Sequence, residues 1–263
     1  MIEISDQQHV RTIALNEPAS FNSITEESAN ALLDALRNAV ASDTVRAVLL
    51  TGNGKFFCAG GNLKNFMAQQ GPLDTYVNKA IEETYNPLAN YMMNMPIPLI
   101  SAVNGPAIGA GVGLALNCDI VLAAKSAYFS LPFVPKLGVV PDMGCSWLVS
   151  RGLNYNQALA MCLTGDSLSA DDAARAGMIW KSIDDSELMT EASALAANLA
   201  KLSSGAVRRT KESLRAAYQN SFNEQLLLEQ KLQTESFGGK AFQEGLNAFR
   251  ERREADFIAN GDE

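Results

Sequence analysis

The chain has 263 residues, of which 47% are hydrophobic and 19% are charged, a composition that fits one large globular unit or a core with an appended segment. The net charge of −8 argues against nucleic acid or an anionic membrane as a partner. Because His9 is the only histidine, a Ser-His-Asp triad and a multi-histidine metal site are excluded, and we expect no metal.

Cysteine usage and the N-terminal sequence bear on the cell compartment. The four cysteines show no CxxC spacing, which is typical of reduced thiols in a cytosolic protein. The chain starts MIEISDQQHV, without the basic and apolar regions of a signal peptide, and no apolar run approaches the ~20 residues that span a bilayer. We therefore expect a cytoplasmic protein that does not enter a membrane.

Strands and helices alternate in the first part of the chain. Thr25 predicts a helix N-cap, and Pro96 and Pro98 predict the end of a long helix. The predicted elements are a hairpin over 2–15 turning at 6–8, a helix from Thr25 to about Val40, a strand over 45–50, a helix over about 75–95 and a strand over 99–103. Residues 64–74 form a polar segment that predicts a lid or a pocket wall.

The pattern continues to about residue 185 and then becomes purely helical. The predicted elements are a helix opened by glycines near 109, strands over 118–124 and 128–133, a helix after a turn at 138–142, helices over 154–163 and 169–176, a strand over 178–183, and helices over about 187–202, 205–219, 221–236 and 240–255. This division predicts a core over 1–195 that holds the site and a helical segment over 196–263 that serves oligomerisation.

Two glycine-containing stretches predict the functional site. They are Phe57–Leu63, which reads FCAGGNL, and Val103–Ala115, which reads VNGPAIGAGVGLA. Glycine lets backbone N–H groups face a ligand closely, and a helix N-terminus carries free N–H donors. Two such donors that converge on a carbonyl oxygen form an oxyanion hole. Tight strand-to-helix packing is the alternative explanation, whereas the spacing fails for a Walker loop and for a dinucleotide-binding fingerprint.

Four motifs, in order over nearly the whole chain, resemble the crotonase (enoyl-CoA hydratase/isomerase) family. They are FCAGGNL, AVNGPAIGAGVGLALNCDIVLAA, the LGVVPD turn and EGLNAFRERREADF. The resemblance implies an α/β spiral of ββα units with a C-terminal helical trimerisation segment. It also implies an acyl-CoA thioester substrate, no cofactor beyond the coenzyme A that the substrate carries, and a homotrimer or a dimer of trimers.

The resemblance places the oxyanion donors at the N–H groups of Gly61 and Ala110. Ala110 stands where the family usually has glycine, a change that costs little if its φ angle is negative, because the donor is the backbone. Ala59 and Asn62 are expected to contact the substrate. For Asn62, completing a turn is an equally good interpretation.

The same comparison implies that both hydratase glutamates are absent. The position of the first is Gly113, and the segment of the second, residues 131–138, contains no carboxylate. Adding water across a double bond needs an acid and a base, so a typical hydratase is not expected.

Asp142 is the remaining candidate for acid–base chemistry. Family members with an acid at this turn are isomerases, which move a proton between two carbons with one carboxylate. An N-cap for the following helix is the alternative role, and both roles are compatible. We expect the neighbouring apolar residues, Val139, Val140 and Trp147 among them, to desolvate the carboxylate and raise its pKa.

Three further residues are carried over from the family. Phe133 is expected to line an apolar acyl pocket, with plain core packing as the alternative. Phe249 and Arg252 match positions that meet the adenine and a phosphate of coenzyme A, with a solvated helix face as the alternative.

These features predict an acyl-CoA isomerase that moves a double bond from 3-enoyl-CoA to 2-enoyl-CoA or isomerises a ring-epoxide acyl-CoA, as in phenylacetate breakdown. One alternative is an enoyl-CoA hydratase that uses another acid, for which Asp119 is the only nearby candidate. A second alternative is a non-catalytic CoA-binding subunit.

Overall fold

The computed structural model describes residues 1–260 and contains two β-sheets surrounded by helices. The strands are β1 (Ile2–Gln7), β2 (Val10–Leu15), β3 (Ala47–Gly52), β4 (Leu99–Val103), β5 (Ala107–Ile108), β6 (Ile120–Ala124), β7 (Tyr128–Ser130), β8 (Leu168–Ser169) and β9 (Lys181–Ile183). The main sheet has the order β1-β2-β3-β4-β6-β9, and β5-β7-β8 form a smaller sheet.

The helices fill the connections between the strands and then make up the C-terminal part. They are α1 (Glu26–Val40), α2 (Leu63–Met67), α3 (Leu73–Ala80), α4 (Asn86–Asn94), α5 (Ala110–Leu116), α6 (Cys145–Gly152), α7 (Tyr155–Thr164), α8 (Ala170–Ala176), α9 (Leu188–Ala200), α10 (Ser204–Ala216), α11 (Phe222–Phe237), α12 (Lys240–Glu251) and α13 (Phe257–Asn260). None of these helices has both the length and the apolar character needed to cross a bilayer.

The core is organised by parallel strands that are covered on both faces. Every residue of β3 and β4 is buried, and the two strands pair in parallel with Val48 opposite Leu99. Continuous apolar runs are typical of such strands because both faces lie against other elements. Their carboxyl ends lead into the two glycine-containing stretches, which places both stretches at one edge of the sheet.

Local capping explains where several helices begin. The Thr25 hydroxyl accepts a hydrogen bond from the Ser28 N–H at 3.1 Å, and the Ser28 hydroxyl accepts one from the Thr25 N–H at 2.8 Å. This capping box starts α1 where the sequence predicts it. Ser169 likewise caps α8 through the Asp172 N–H at 3.1 Å.

The long helix predicted over 75–95 contains a wider turn. A π-helical turn, Ile81–Tyr85, joins α3 directly to α4, so that residues 73–94 are helical without interruption. Such single turns are frequent at functional sites. Apolar periodicity does not reveal the extra residue, because the flanking helices each keep a regular pattern.

Three other predictions need correction. The hairpin turn lies at Gln8 and His9, both with positive φ, because β1 extends to Gln7. The strand predicted over 128–133 ends at Ser130, since Phe133–Leu137 forms a π-helical turn. The strand predicted from 178 begins at Lys181.

The C-terminal helices are fastened to the core by polar contacts. Lys211 on α10 forms an ion pair with Asp119 and donates a hydrogen bond to the Ile97 carbonyl at 2.8 Å. Arg46 donates to the Ala200 carbonyl at 2.7 Å, at the end of α9. The proposed boundary at 195/196 falls inside α9, which packs against β3 and β4 of the core. The last residues of the proposed segment, 261–263, lie outside the described residues.

Candidate active site

The two glycine-containing stretches lie against each other at the edge of the main sheet. The Cys58 N–H donates to the Pro106 carbonyl at 3.2 Å, and the Ile108 N–H donates to the Cys58 carbonyl at 2.9 Å. A Cβ added to Gly60 would lie 2.7 Å from the Ile108 oxygen and 3.3 Å from the Ala110 nitrogen. Glycine is therefore required at position 60, where φ is also +87°.

Backbone geometry leaves the N–H groups of Gly61 and Ala110 outside the regular hydrogen-bond pattern. Ile24 forms a parallel bridge opposite Gly61 by donating to the Gly60 carbonyl at 2.7 Å and accepting from the Asn62 N–H at 3.0 Å. This arrangement does not use the Gly61 N–H. Ala110 is the first residue of α5, where an N–H has no acceptor within the helix, and its φ is not positive.

Ala59 and Phe133 lie next to these donors. The Ala59 N–H donates to the Phe21 carbonyl at 3.0 Å, which fixes the loop that leads to Gly61. The Phe133 ring packs against Gly109, since a Cβ at Gly109 would lie 3.5 Å from the ring. Phe133 is a buried core residue, and its ring also borders Gly109. Its position therefore fits both the core interpretation and the pocket-wall interpretation.

Asn62 serves the backbone around it. Its side-chain oxygen accepts hydrogen bonds from the Lys64 N–H at 3.1 Å and the Asn65 N–H at 3.4 Å, and so caps α2. Its side-chain nitrogen donates to the Ser23 hydroxyl at 3.1 Å. These contacts correspond to the turn interpretation of Asn62, and they tie α2 to the residue after the Gly61 donor.

No side chain fits at Gly113, the position of the first hydratase glutamate. A Cβ there would lie 2.6 Å from the Met143 Cβ and 2.7 Å from the Met143 oxygen. The Asn117 amide holds the two elements together by donating to the Gly113 carbonyl at 2.8 Å and to the Met143 carbonyl at 3.0 Å. The turn that carries Asp142 thus occupies the space beside α5 that a residue 113 side chain would need.

The half-buried Asp142 side chain has one buried carboxylate oxygen without a partner in the described part of the chain. Among residues 1–260 its Oδ1 atom has no hydrogen-bond partner. Helix α6 begins at Cys145 with Gly144 as its N-cap, and no side chain caps it. The capping interpretation of the Asp142 side chain is therefore wrong, because the helix starts too late for the carboxylate to reach its first N–H groups.

Burial raises the pKa of the Asp142 carboxyl above its ordinary value. The expected cause is only partly correct. Met143 is buried, but Val139 and Val140 before the turn and Trp147 on α6 are exposed. The negative charge of Asp142 in turn contributes, after burial, to the raised pKa of Tyr85 at the end of the π-helical turn.

Three further side chains border the site without having been identified from the sequence. The Phe66 ring of α2 lies beside Gly61, 3.2 Å from where a Cβ would be. It meets the Tyr76 ring edge-on at 6.0 Å, and the Tyr76 hydroxyl donates to the Glu26 carboxylate at 2.5 Å. Glu26 resembles an ordinary acidic residue of a first helical turn, so the sequence alone does not reveal this contact.

The structure does not bring Phe249 and Arg252 to this cluster. Both lie at the end of α12, which packs mainly against α11 and α13. The Phe249 side chain is 83% exposed, and Arg252 forms the left-handed C-cap of the helix. A contact between these residues and coenzyme A remains a prediction.

Known proteins resemble the chain over almost its whole length. The family model for enoyl-CoA hydratase/isomerase matches residues 5–260. The 1,2-epoxyphenylacetyl-CoA isomerase of Escherichia coli strain K12 is 37% identical over 251 residues, covering 95% of each chain. A probable enoyl-CoA hydratase of Rhodobacter capsulatus is 36% identical over 245 residues, covering 93% of each chain.

A solved structure shows the same fold. The crystal structure of an enoyl-CoA hydratase from Polaromonas sp. JS666 aligns with a TM-score of 0.92 at 30% identity and covers 97% of this chain and 98% of that one. The sheet order, the glycine-containing strand ends and the helical C-terminus are thus those of the crotonase fold. The chain belongs to the enoyl-CoA hydratase/isomerase family.

Proposed function

We propose that the protein is an acyl-CoA isomerase in which Asp142 transfers a proton between two carbons of an enoyl-CoA thioester. One observation carries the proposal: in the described part of the chain the Oδ1 atom of Asp142 is buried without a hydrogen-bond partner, while the position of the first hydratase glutamate has no room for a side chain. An unpaired buried carboxylate costs stability, and such groups are retained where they serve chemistry.

The reaction divides into two proton transfers. The ionised Asp142 carboxylate takes a proton from C2, the C2–H electrons move into the conjugated system, and negative charge develops on the thioester oxygen. The N–H groups of Gly61 and Ala110 stabilise that oxygen as the dienolate forms. Asp142 then returns the proton to C4, so the double bond moves from C3–C4 to C2–C3, and the only coenzyme is the CoA of the substrate.

A ring-epoxide arylacetyl-CoA is a second candidate substrate. The similarity to the 1,2-epoxyphenylacetyl-CoA isomerase of Escherichia coli supports this substrate and, with it, a role in phenylacetate catabolism. The same donors and carboxylate serve that reaction, because it also requires an acidified position next to the thioester and one mobile proton. Comparing kcat/KM of the purified protein for 3-enoyl-CoA and for the ring-epoxide arylacetyl-CoA determines which of the two it prefers.

Hydratase activity is favoured by the names of several relatives but lacks a second acid here. Asp119, the alternative candidate, accepts hydrogen bonds from the Leu99 N–H at 2.8 Å and pairs with Lys211 and Arg215. Asp119 is thus occupied in a structural role, because these contacts join α10 to the main sheet. We expect slow or no hydration of 2-enoyl-CoA under conditions where 3-enoyl-CoA is isomerised.

The Asp142→Asn variant tests the proposal. It keeps the shape and removes the base, so the isomerase rate is expected to fall at least ~10²-fold and C2 deuterium exchange to stop. Because the native carboxylate is desolvated, the variant should unfold at the same temperature or higher. Near-normal turnover in the folded variant would refute the role of Asp142.

The wild-type pH profile provides a second check. The base must be ionised, so activity is lost as pH falls through the Asp142 pKa. Since burial raises that pKa, the acidic limb should lie above the ordinary range of an aspartate. An acidic limb at or below that range would contradict the proposed environment of the base.

A further inference from the structure

Cys145 links the turn that carries Asp142 to the start of α5. Its backbone N–H donates to the Asp142 carbonyl at 2.9 Å. Its Sγ atom lies 3.6 Å from the Gly109 carbonyl oxygen, to which the thiol donates a hydrogen bond. The Cys145 side chain is fully buried, and burial raises the pKa of the thiol, so the thiol keeps the proton that it donates.

The Gly109 carbonyl and the Ala110 N–H belong to one trans peptide group. In such a group the C=O and the N–H point in opposite directions, so a donor behind the carbonyl leaves the N–H free to face a ligand. Ala110 is buried, and among residues 1–260 its N–H donates to no acceptor. A buried N–H without an acceptor is rare in folded proteins, which indicates a ligand atom as its partner.

Both proposed donor peptides follow a glycine with positive φ and are held from behind. Gly109 has a φ of 56° and a ψ of −124°, and its oxygen, with two lone pairs, accepts from the Val112 N–H at 2.9 Å as well as from the thiol. The Gly60 carbonyl, which precedes the other donor, accepts from the Ile24 N–H at 2.7 Å. Only the thiol is a side-chain group, so a substitution can remove this one anchor.

We propose that Cys145 is a positioning residue whose thiol orients and polarises the Gly109–Ala110 peptide for binding of the thioester oxygen. The inference rests on the proposed oxyanion hole. Hydrogen bonds in a chain polarise one another, so a thiol that donates to the carbonyl makes the N–H of the same peptide a stronger donor. This gain grows as negative charge develops on the thioester oxygen, and it therefore lowers the barrier more than it tightens substrate binding.

The Cys145→Ala variant removes the thiol. Hydrogen bonds from S–H groups are weak, so kcat should fall about two- to fivefold while KM changes little. Cys118→Ala is the matched control, because the Cys118 thiol is also buried and also lies 3.6 Å from a carbonyl oxygen of α5, that of Leu114 near the other end of the helix. This control loses the same kind of bond and similar packing, but its kcat should match the wild type.

Infrared spectroscopy of a bound thioester measures the donor without turnover. The probe is a saturated acyl-CoA with a ¹³C-labelled thioester carbonyl, whose stretching frequency falls as hydrogen bonds to its oxygen strengthen. Cys145→Ala should raise the bound frequency, and Cys118→Ala should leave it at the wild-type value. An unchanged frequency in Cys145→Ala, or equal shifts in both variants, would overturn the inference. A wild-type frequency no lower than that of the free thioester in water would instead overturn the oxyanion hole itself.

The thiol of the wild-type protein gives a second measurement, which does not require Cys145→Ala to fold. Thiol S–H stretching bands lie in a spectral region clear of other protein bands, and the Cys145 band is assigned by its loss in Cys145→Ser. Binding of the saturated acyl-CoA should move this band to lower frequency, because the thioester oxygen strengthens the whole chain of hydrogen bonds. A Cys145 band that stays in place, or that moves together with the Cys118 band, would contradict the proposed role.

Discussion

Gly113 and Met143 are in such close contact that position 113 has no room for a side chain. A Cβ at position 113 would lie 2.6 Å from the Met143 Cβ, a separation that real atoms do not tolerate. Met143 has a positive φ of 52°, an uncommon conformation for a residue with a side chain. The turn is held in this conformation by the buried Asn117 amide, and its position places Asp142 in the site.

Replacing Gly113 with alanine should therefore destabilise the protein. Overpacking of this kind costs roughly 1–3 kcal/mol, partly offset by the ~0.5–1 kcal/mol that alanine gains in a helix. Gly245→Ala in α12 is the matched control, because a Cβ there meets nothing within 4 Å, and it should be neutral or stabilising. Urea unfolding measures both, and equal free energies of unfolding for the two variants would contradict the close contact.

Among individual residues, Asp142 could be identified from the sequence as the acid of the turn, but most of the side chains around it could not be predicted. The turn motif marked the residue, but Val139, Val140 and Trp147, which were expected to desolvate it, are exposed. Tyr85 and Glu26 were missed because they lie on helical segments that precede Asp142 by 57 and 116 residues in the chain. Contacts over such separations depend on the fold and leave no local pattern.

The two short helices α2 and α3, with the loop 68–72 between them, cover the glycine-containing stretches. We call residues 63–80 the cover segment. Asn62 caps its first helix, Phe66 lies over Gly61, and the Tyr76–Glu26 hydrogen bond of 2.5 Å attaches its second helix to α1. The residues of the loop are exposed, so these side-chain contacts are what hold the segment over the donors.

Tyr76→Phe should loosen the cover segment. Losing this partly exposed hydrogen bond to a carboxylate costs ~1 kcal/mol, so amide hydrogens of residues 73–80 should exchange about fivefold faster. Tyr155→Phe, which changes an exposed tyrosine of α7, is the control and should leave the amide exchange of residues 73–80 unchanged. Unaltered exchange in Tyr76→Phe would show that the loop is held by packing alone.

Element prediction succeeded where elements are long and patterned. The β3 and β4 strands, the capped α1 and the run of C-terminal helices were predicted within a few residues. The strands β5 and β8 were missed, because two residues each carry no periodicity and exist only through pairing with β7. The crotonase fold itself is confirmed by the solved relatives.

At the scale of the whole molecule, the C-terminal helices expose more apolar surface than one chain covers. The exposed side chains include those of Leu214, Phe222, Leu227 and Phe249. Grooves of about 630 and 650 Å³ run between α10, α11 and α12. We propose that this surface packs on neighbouring subunits in a trimer, as the family resemblance implies.

Light scattering at micromolar concentration should give about three times the 28.2 kDa chain mass, or six times for a dimer of trimers. Leu227→Asp places a charge in the proposed interface and should lower the mass. Met67→Asp, a change of an equally exposed residue on α2, should not. A stable wild-type monomer would contradict the proposal.

The contact between Gly113 and Met143 also limits how this chemistry changes during evolution. A glutamate is accepted at position 113 only after the 142–145 turn has moved, and moving the turn displaces Asp142. Descent from a two-glutamate ancestor, or return to one, therefore passes through coordinated changes rather than a single codon. Libraries that aim to introduce a glutamate at position 113 should therefore vary the turn and position 113 together, because the two occupy the same space.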